Sequence, residues 1–235
     1  MIRPRVTLVT PTTPARNNYL TALLAQAREE KWPFDEWIIL GSSFPEGFVG
    51  SLVFSGAPSH LGKRHQLAWE MATGDIIICV DDDDWHHPTR ITRTVAELEK
   101  HPLVGSTAFY CVNIEEGASR QAIRSTTWDL LFGCPKAHRW IPGGTMGFWR
   151  KLALEVGADS GAIAGGWDSQ FLRDFHAKHS DTWDIFDPSY IVLGRHGTNI
   201  SGQSWCVPDW EDETRRIPIE WLDSDFGESF KKWHR

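Results

Sequence analysis

The stretch Ile76–Pro88, IIICVDDDDWHHP, decides the fold, because it runs from a short apolar segment directly into four consecutive aspartates. The mostly branched apolar residues predict a buried strand, and the polar residues that follow mark its end. Two carboxylates about 4 Å apart repel by roughly 4 kcal/mol at an effective dielectric near 20. Adjacent aspartates in this number therefore predict a positively charged partner at the end of the strand.

The chain upstream of the acidic strand alternates between strand and helix patterns. Arg5–Pro11 is β-rich and stops at a proline, and the next stretch has apolar residues at helical spacing, namely Leu20, Leu23, Leu24 and Ala27. Glu36–Ser43 is a second apolar run at βαβ distance, which predicts a parallel sheet with a right-handed crossover. A shorter candidate strand, SLVFSG, covers residues 51–56.

A helix is predicted on each side of the acidic strand. His60–Thr73 carries apolar residues on one face, and Gly74 stands where a C′ glycine ends a helix. Pro88 is a natural first residue of the second helix, which an apolar stripe continues to near His101. This alternation predicts an α/β nucleotide-binding half, in which ligands collect beyond the carboxyl ends of parallel strands. The aspartates lie at such an end.

The second half of the chain is less regular. Strands are predicted at Ser106–Val112, Thr145–Trp149 and Tyr190–Gly194, and a helix is predicted to begin near Gly166. At 235 residues, with no internal repeat and no Ser/Gly linker, the chain predicts one domain.

Composition and charge narrow the function classes. The formal charge of -7, from 24 Lys and Arg against 31 Asp and Glu, disfavours tight non-specific binding to nucleic acid or an anionic membrane. The sequence has no apolar run of about 18 residues and no secretory signal pattern, so we expect a cytoplasmic protein. No CxxC pair occurs, so we expect reduced thiols at Cys79, Cys111, Cys134 and Cys206. The 13 tryptophans suit a core, or platforms for sugars and bases.

The acidic cluster itself suits a metal ion. A hard divalent cation such as Mg²⁺ or Mn²⁺ prefers carboxylate oxygens and keeps open positions for phosphate oxygens. A solvated acidic turn is the alternative explanation for an isolated Asp-x-Asp pattern. The buried strand before the aspartates and the helix start after them favour the metal site.

Five segments together resemble the family 2 glycosyltransferases of GT-A fold, and in particular a small subset whose metal motif reads DDDDW. In chain order they are VTLVTPTTPARNNYL, LGKRHQLAWEMATGDIIICVDDDDWHHPTRI, GGTMGFWR, GWDSQFL and GRHGTNIS. The resemblance covers about residues 5–202 and implies an α/β fold with a mostly parallel central sheet flanked by helices. It divides the single domain, residues 1–235, into a nucleotide-sugar-binding half (1–104), an acceptor and catalytic half (105–202) and a C-terminal extension (203–235).

The resemblance implies separate roles for the aspartates. Asp83 would contact an Mn²⁺ or Mg²⁺ ion that bridges the two phosphates of a nucleotide sugar, with Asp84 beside it. Asp81 would face the nucleoside ribose, and Asp82 is expected to point to the other face. A metal in this position neutralises the charge that builds on the leaving diphosphate.

Asp168, in GGWDSQF, matches the second residue of the family's ED-type motif, which acts as the catalytic base. A base here takes the proton of the acceptor hydroxyl as the hydroxyl oxygen attacks the anomeric carbon. The chain departs from the motif at Trp167, where the family has an acid. A helix N-cap is the alternative role for Asp168.

Basic side chains complete the implied donor site. His196 matches a late histidine that closes on the metal or the diphosphate in many relatives, and a structural histidine is the alternative. Lys63 and Arg64 match basic positions near the donor. Two solvated charges on a helix surface explain them equally well.

Two loops match donor-binding segments of the family. Gly143 and Gly144 match the floor under donor and acceptor, where glycine lets the backbone approach the sugar, although a plain turn also explains them. Thr10, Pro11 and Thr12 match the loop that cradles the nucleobase.

These matches imply a metal-dependent, inverting glycosyltransferase that uses a nucleotide sugar, with a UDP-sugar as the expected donor. Gly41 is a departure, because many relatives carry a base-binding aspartate there. The expected acceptor is a saccharide. A hydroxymethylated base in DNA is the alternative, since Arg215-Arg216 and Lys231-Lys232 could hold a flipped base and its phosphates. A sugar-nucleotide-binding protein without catalysis is the rival class.

Overall fold

The computed structural model describes residues 3–41, 61–113, 124–127, 141–158, 166–179, 183–185, 187 and 190–195. These residues form ten strands and five α-helices, arranged as two sheets with helices on both faces of the larger one. The candidate strand at 51–56, His196 and the extension from residue 203 onward lie outside the described residues. No helix within the described part of the chain is long and apolar enough to cross a bilayer.

The strands, in chain order, are β1 (Val6–Pro11), β2 (Glu36–Leu40), β3 (Ile76–Cys79), β4 (Trp85–His86), β5 (Leu103–Gly105), β6 (Ala108–Asn113), β7 (Arg124–Thr127), β8 (Gly147–Trp149), β9 (Trp183–Asp184) and β10 (Ile191–Arg195). The larger sheet has the order β2-β1-β3-β8-β5-β9, and the smaller sheet has the order β4-β10-β6-β7. β1 pairs in parallel with both β2 and β3, whereas β8 runs antiparallel between β3 and β5. In the smaller sheet, β10 pairs in parallel with β6 and antiparallel with β4.

The helices are α1 (Asn17–Glu29), α2 (Leu61–Met71), α3 (Arg90–Leu98), α4 (Arg150–Val156) and α5 (Trp167–His179). Strand alternation sends Ile77 to one face of the larger sheet and Ile76 and Ile78 to the other. The Ile77 face packs against α2, α4 and α5, and the opposite face packs against α1 and α3. The predicted fold class, a mostly parallel sheet between helices, is confirmed.

The strands β4, β5, β7 and β9 and the helix α4 were not expected from the sequence. These strands have two to four residues, too few to show a period, and they form because neighbouring strands supply their hydrogen-bond partners. The predicted start of the second helix at Pro88 is two residues early. His87 still bonds the smaller sheet through its amide and the Tyr190 carbonyl, 3.2 Å apart, so the helix begins at Arg90.

Gly74 is the second correction, because it does not take the left-handed conformation of a C′ glycine. A Cβ atom at this position would lie 2.5 Å from Thr7 Oγ1 and 3.0 Å from the Arg5 carbonyl oxygen. The glycine is therefore required by a close approach to β1, a tertiary contact that the local pattern does not reveal.

Candidate active site

The four aspartates form the loop that joins the two sheets. Cys79 ends β3, Val80 donates its amide to the Val9 carbonyl at 2.9 Å, and Trp85 begins β4. Because β1 and β3 are parallel neighbours, this loop and the segment after β1 lie at the same edge of the larger sheet. The structure thus places the aspartates beyond the carboxyl ends of the parallel strands.

Three of the aspartates converge, and we call Asp81, Asp83 and Asp84 the acidic triad. One carboxylate oxygen from each lies within 4.8 Å of the other two. Asp83 and Asp84 are buried, and Asp81 is partly exposed. Hard divalent cations take oxygen ligands at about 2.0–2.6 Å, so carboxylates at this spacing can share one cation with little rearrangement.

Asp82 lies apart from the triad and is fully buried. Its Oδ2 accepts a hydrogen bond of 2.5 Å from Thr12 Oγ1, which ties the loop to the segment after β1. Asp84 ties the loop to the smaller sheet, because its Oδ1 accepts the Gly194 amide at 3.0 Å. The loop is therefore anchored at both sides by its own carboxylates.

Burial raises the pKa of several of these aspartates. Burial raises the pKa of Asp81 to about 6, and the nearby Asp83 charge acts in the same direction. Burial raises the pKa of Asp82 to about 7, against the opposing effect of Arg16. The pKa of Asp84 lies well above its usual range through burial and the charges of Asp83 and Asp81. Ionising the cluster is thus costly unless positive charge is added.

Arg16 supplies positive charge to this loop. It ends a short 3-10 helix, Pro14–Arg16, directly after β1, and its guanidinium lies 2.6 Å from Asp82 Oδ1 and also ion-pairs with Asp83. Burial alone would lower the pKa of Arg16, but the neighbouring aspartates raise it. The sequence analysis did not single out Arg16. Its place just after a parallel strand, at the edge shared with the aspartates, is a signal that could have found it.

Arg90 holds the acidic loop from behind, and the sequence analysis missed it as well. It is fully buried, and its Nη2 donates to the carbonyls of Cys79 and Gly144 at 2.5 Å each. Its Nη1 bonds the His86 ring, whose other nitrogen lies 3.3 Å from the Asp81 carbonyl oxygen. Arg90 thus joins the end of β3, the loop and Gly144.

Gly143 and Gly144 lie between the acidic triad and Asp168. A Cβ on Gly144 would lie 2.7 Å from Asp81 Oδ2 and 3.2 Å from Asp84 Oδ2. The Gly143 amide donates to Asp168 Oδ2 at 3.2 Å. Two adjacent residues therefore contact the triad on one side and Asp168 on the other.

Asp168 lies in the first turn of α5, inside the helix and not at its N-cap. Its Oδ1 accepts the Ser169 amide at 2.8 Å, and its carboxylate is partly exposed. Burial raises the pKa of Asp168, although the hydrogen bonds from Ser169 and Gly143 oppose this effect. The arrangement leaves Asp168 a more basic carboxylate than usual, held in position by two main-chain amides.

Trp167 explains the departure from the family's acidic pair. It is buried, its ring stacks on His65 with centroids 3.9 Å apart, and it packs in the core beside Trp69 and Phe171. A Cβ on Gly143 would lie 2.5 Å from the Trp167 ring. Trp167 therefore anchors the start of α5 and supports the glycine turn.

The segment after β1 is tied to the acidic loop. The Thr10 hydroxyl is buried, donates to the Val80 carbonyl at 2.7 Å and accepts from Trp37 Nε1 at 3.0 Å. Pro11 ends β1 and is buried, and the Thr12 amide donates to the Leu40 carbonyl at 2.8 Å. Thr10 therefore has a structural role, while Thr12 also contacts the aspartates.

The predicted basic residues lie in different settings. Arg64 is partly buried and donates to the Thr12 carbonyl at 3.3 Å, and Lys63 is exposed on α2. His196 lies outside the described residues.

The fold is similar to those of several glycosyltransferase structures. S. aureus TarS 1–349 in complex with UDP-GlcNAc aligns with a TM-score of 0.61 and 15% identity, over 96% of this chain and 69% of that chain. A second structure of S. aureus TarS 1–349 aligns with a TM-score of 0.57 and 16% identity, over 81% of this chain and 60% of that chain. Mannosyl-3-phosphoglycerate synthase from Rubrobacter xylanophilus aligns with a TM-score of 0.50 and 13% identity, over 82% and 68%. At these identities the likeness concerns the fold, and this chain spans 60% of the length of that second TarS structure, less than two thirds.

A sequence comparison matches the middle of the chain to one family model. The model of glycosyl transferase family 2 matches residues 58–167, a range that contains Arg64, the acidic loop and the glycine turn and that stops one residue before Asp168. No curated protein matches the chain. The family match and the fold agree with the resemblance that the acidic motif indicated. The chain is therefore similar to glycosyl transferase family 2 over residues 58–167, just under half of its length, and its fold is similar to that of GT-A glycosyltransferases.

Proposed function

We propose that the protein is a metal-dependent, inverting glycosyltransferase that moves a sugar from a UDP-sugar to an acceptor hydroxyl. The observation that carries the proposal is the glycine turn, Gly143 and Gly144, with the acidic triad on one side and Asp168 on the other. A transferase needs a diphosphate site and a base for the acceptor held side by side. The structural neighbour in complex with UDP-GlcNAc supports UDP as the nucleotide.

The residues present fit a divalent cation, Mn²⁺ or Mg²⁺. The acidic triad offers hard oxygen ligands within 4.8 Å of one another. Burial and the neighbouring carboxylates raise the pKa values of Asp81 and Asp84, so a bound cation would stabilise their ionised forms. Asp83 is the proposed principal ligand, with His196 as a further ligand. When bound, the cation would act as a Lewis acid that neutralises charge on the leaving diphosphate.

The nucleotide is proposed to bind beyond β1 and α2. Thr12 and Arg64 are linked by a hydrogen bond of 3.3 Å and lie next to the acidic loop, so both can contact the nucleotide while they position the aspartates. Thr10 and Pro11 would shape the same pocket from the end of β1. Asp81 would bind the ribose, and Lys63 would contribute positive charge from the surface of α2.

Asp168 is the proposed catalytic base. Its carboxylate would take the proton of the acceptor hydroxyl while the hydroxyl oxygen forms the bond to the anomeric carbon. The bond from that carbon to the diphosphate oxygen breaks, and its electron pair leaves with the diphosphate. A single displacement of this kind inverts the anomeric centre. The amides of Gly143 and Ser169 hold the carboxylate in place during the step.

The proposed acceptor is a saccharide. A hydroxymethylated base in duplex DNA is the other acceptor to test, because it also carries a hydroxyl group whose oxygen can attack the anomeric carbon.

A donor screen tests the proposal. Purified protein with Mn²⁺ is incubated with a panel of nucleotide sugars, and released nucleoside diphosphate is followed with saccharide acceptors or with duplex DNA that contains 5-hydroxymethylcytosine. We expect release from a UDP-sugar that increases with one acceptor class and is lost in Asp83→Asn. Binding of UDP-sugar without transfer to any acceptor would favour a non-catalytic binding protein, and no binding of any nucleotide sugar would refute the proposal.

A further inference from the structure

Arg16 is a buried cation held against the acidic loop. Arg16 is only 6% exposed, and its guanidinium ion-pairs with both Asp82 and Asp83. Within the described part of the chain, Arg16 Nε has no hydrogen-bond partner. The guanidinium is therefore held by charge more than by a full set of directed hydrogen bonds, and directed bonds are what usually fix a buried arginine.

The second buried arginine near the loop does not share this role. The described hydrogen bonds of Arg90 go to the carbonyls of Cys79 and Gly144 and to the His86 ring, and these partners carry no formal negative charge. Arg16 ion-pairs with two of the loop carboxylates, and its charge also acts on Asp81 and Asp84.

Asp83 belongs to two groups at once. It is a member of the acidic triad, and it is an ion-pair partner of Arg16. A guanidinium and a divalent cation that share one carboxylate repel each other at short range. The Arg16 guanidinium and a divalent cation therefore cannot both bind the Asp83 carboxylate with their full affinity.

We propose that Arg16 is an exchangeable internal counterion of the acidic loop, with which a divalent cation competes for Asp83. The inference rests on the proposed role of Asp83 as a metal ligand. It assigns to Arg16 a positioning role: Arg16 keeps the aspartates together, and it sets how tightly the metal binds. A residue that only supported the fold would keep the aspartates together without competing with the cation for Asp83.

The test compares Mn²⁺ affinity and stability in wild-type protein and Arg16→Gln. Isothermal titration calorimetry gives the Kd for Mn²⁺ alone, without donor, and thermal unfolding in a chelator gives the metal-free stability. We expect Arg16→Gln to bind Mn²⁺ at least about tenfold more tightly, because one repelling charge is removed, while its Tm in chelator falls. A purely structural arginine would lower both the Tm and the Mn²⁺ affinity, and that result would overturn the inference.

Two control variants frame the result. Arg16→Lys keeps the charge and should bind Mn²⁺ with an affinity between those of wild type and Arg16→Gln. Arg3→Gln makes the same charge change and breaks the ion pair to Asp35, but Arg3 precedes the opposite end of β1 and should leave the Mn²⁺ Kd unchanged. If wild type binds Mn²⁺ and Arg16→Gln binds it no more tightly, the counterion role fails and the proposed transferase stands. If neither protein binds Mn²⁺, the proposed metal site fails as well.

A second measurement uses wild-type protein and covers the case in which Arg16→Gln does not fold. Arginine labelled with ¹⁵N gives an Nε–H resonance for Arg16, assigned by its loss in Arg16→Lys. We expect this resonance to shift in step with Mg²⁺ binding, since the guanidinium leaves Asp83. A resonance that stays fixed while Mg²⁺ saturates the protein would contradict the exchange.

Discussion

At the scale of single residues, the site depends on a few carboxylates whose neighbours decide their roles. The sequence matched Asp168 to an acidic pair whose first member is missing, and the structure shows what stands in the place of that member. Trp167 turns into the core, while Asp168 keeps two main-chain amide donors, Gly143 and Ser169. One oriented carboxylate is what proton removal requires.

Replacing Asp168 by asparagine should remove the base and keep the fold. We expect kcat to fall by about 10²- to 10⁴-fold, the usual contribution of a general base, while the Kd for UDP-sugar stays within about twofold. Steady-state kinetics and calorimetric binding of the donor measure the two effects. The matched variant is Asp174→Asn, on the same helix, whose carboxylate bonds Gln170 at 3.0 Å. If Asp174→Asn and not Asp168→Asn abolished turnover, the assignment of the base would be wrong.

At the scale of secondary-structure elements, the glycine turn fixes the distance between the two halves of the site. Gly143 and Gly144 form a 3-10 turn immediately before β8, and β8 pairs with β3, which carries the acidic loop. The turn and the loop are thus held in register by one antiparallel strand pair. Arg90 adds a second link through the carbonyls of Cys79 and Gly144.

Gly144→Ala should disturb the site more than the fold. The added Cβ would lie 2.7 Å from Asp81 Oδ2, so the carboxylate must move away from the triad. A displacement of about 1 Å at a reacting centre can cost about 100-fold in rate, and we expect a loss of kcat/KM of that order. Gly166→Ala is the control, because a Cβ there meets nothing within 4 Å. Equal losses in the two variants would show that the close approach to Asp81 is unimportant.

Arg90→Met should be strongly destabilising. It removes the charged donor from two main-chain carbonyls and from His86, all in a fully buried setting, and each buried hydrogen bond to a charged group contributes about 1.5–3 kcal/mol. We expect the free energy of unfolding to fall by roughly 3 kcal/mol or more, measured by urea denaturation. Arg93→Met, which loses a partly exposed ion pair to Asp187, should cost about 1 kcal/mol or less. A small effect at Arg90 would mean that water replaces the lost donors.

At the scale of the whole molecule, the charges of the loop should make the free energy of unfolding depend on pH and on the proposed metal ion. The pKa values of Asp81 and Asp82 are raised in the folded state to about 6 and about 7. Their contribution to stability is therefore present at low pH and is lost as the pH rises through those values. His65, whose pKa burial lowers to about 3, acts in the opposite sense: its contribution is lost as the pH falls below its unfolded value.

The stabilisation by Mn²⁺ should consequently increase with pH. We expect the difference in Tm between samples with Mn²⁺ and with chelator to be small near pH 5 and to grow toward pH 8, because protonated carboxylates bind the cation poorly. Taking the difference cancels the contribution of His65, which is common to both samples. Differential scanning calorimetry across this pH range measures the difference in Tm. A difference independent of pH would place the cation away from these aspartates.

The sequence predicted the α/β half of the fold because its longer elements carry their own signals. β1, β2, β3, α1 and α2 have clear apolar patterns and bury them against one another. The smaller sheet was only partly predicted, since the two-residue β4 pairs with β10, a strand distant in sequence, and the four-residue β7 is too short to show a period. For the site, the motif located the aspartates and the glycines, while Arg16 and Arg90 act through contacts that become visible only in three dimensions.

The acidic loop has one more consequence, which follows from its place between β3 in one sheet and β4 in the other. A ligand that immobilises the aspartates should therefore also restrict the motion of the two sheets relative to each other. Donor and cation should therefore slow amide hydrogen exchange in β6, which pairs with β10, the strand whose Gly194 amide donates to Asp84. Hydrogen exchange followed by mass spectrometry would detect this slowing in β6. Unchanged exchange in β6 would mean that binding at the acidic loop does not restrict the motion of the smaller sheet.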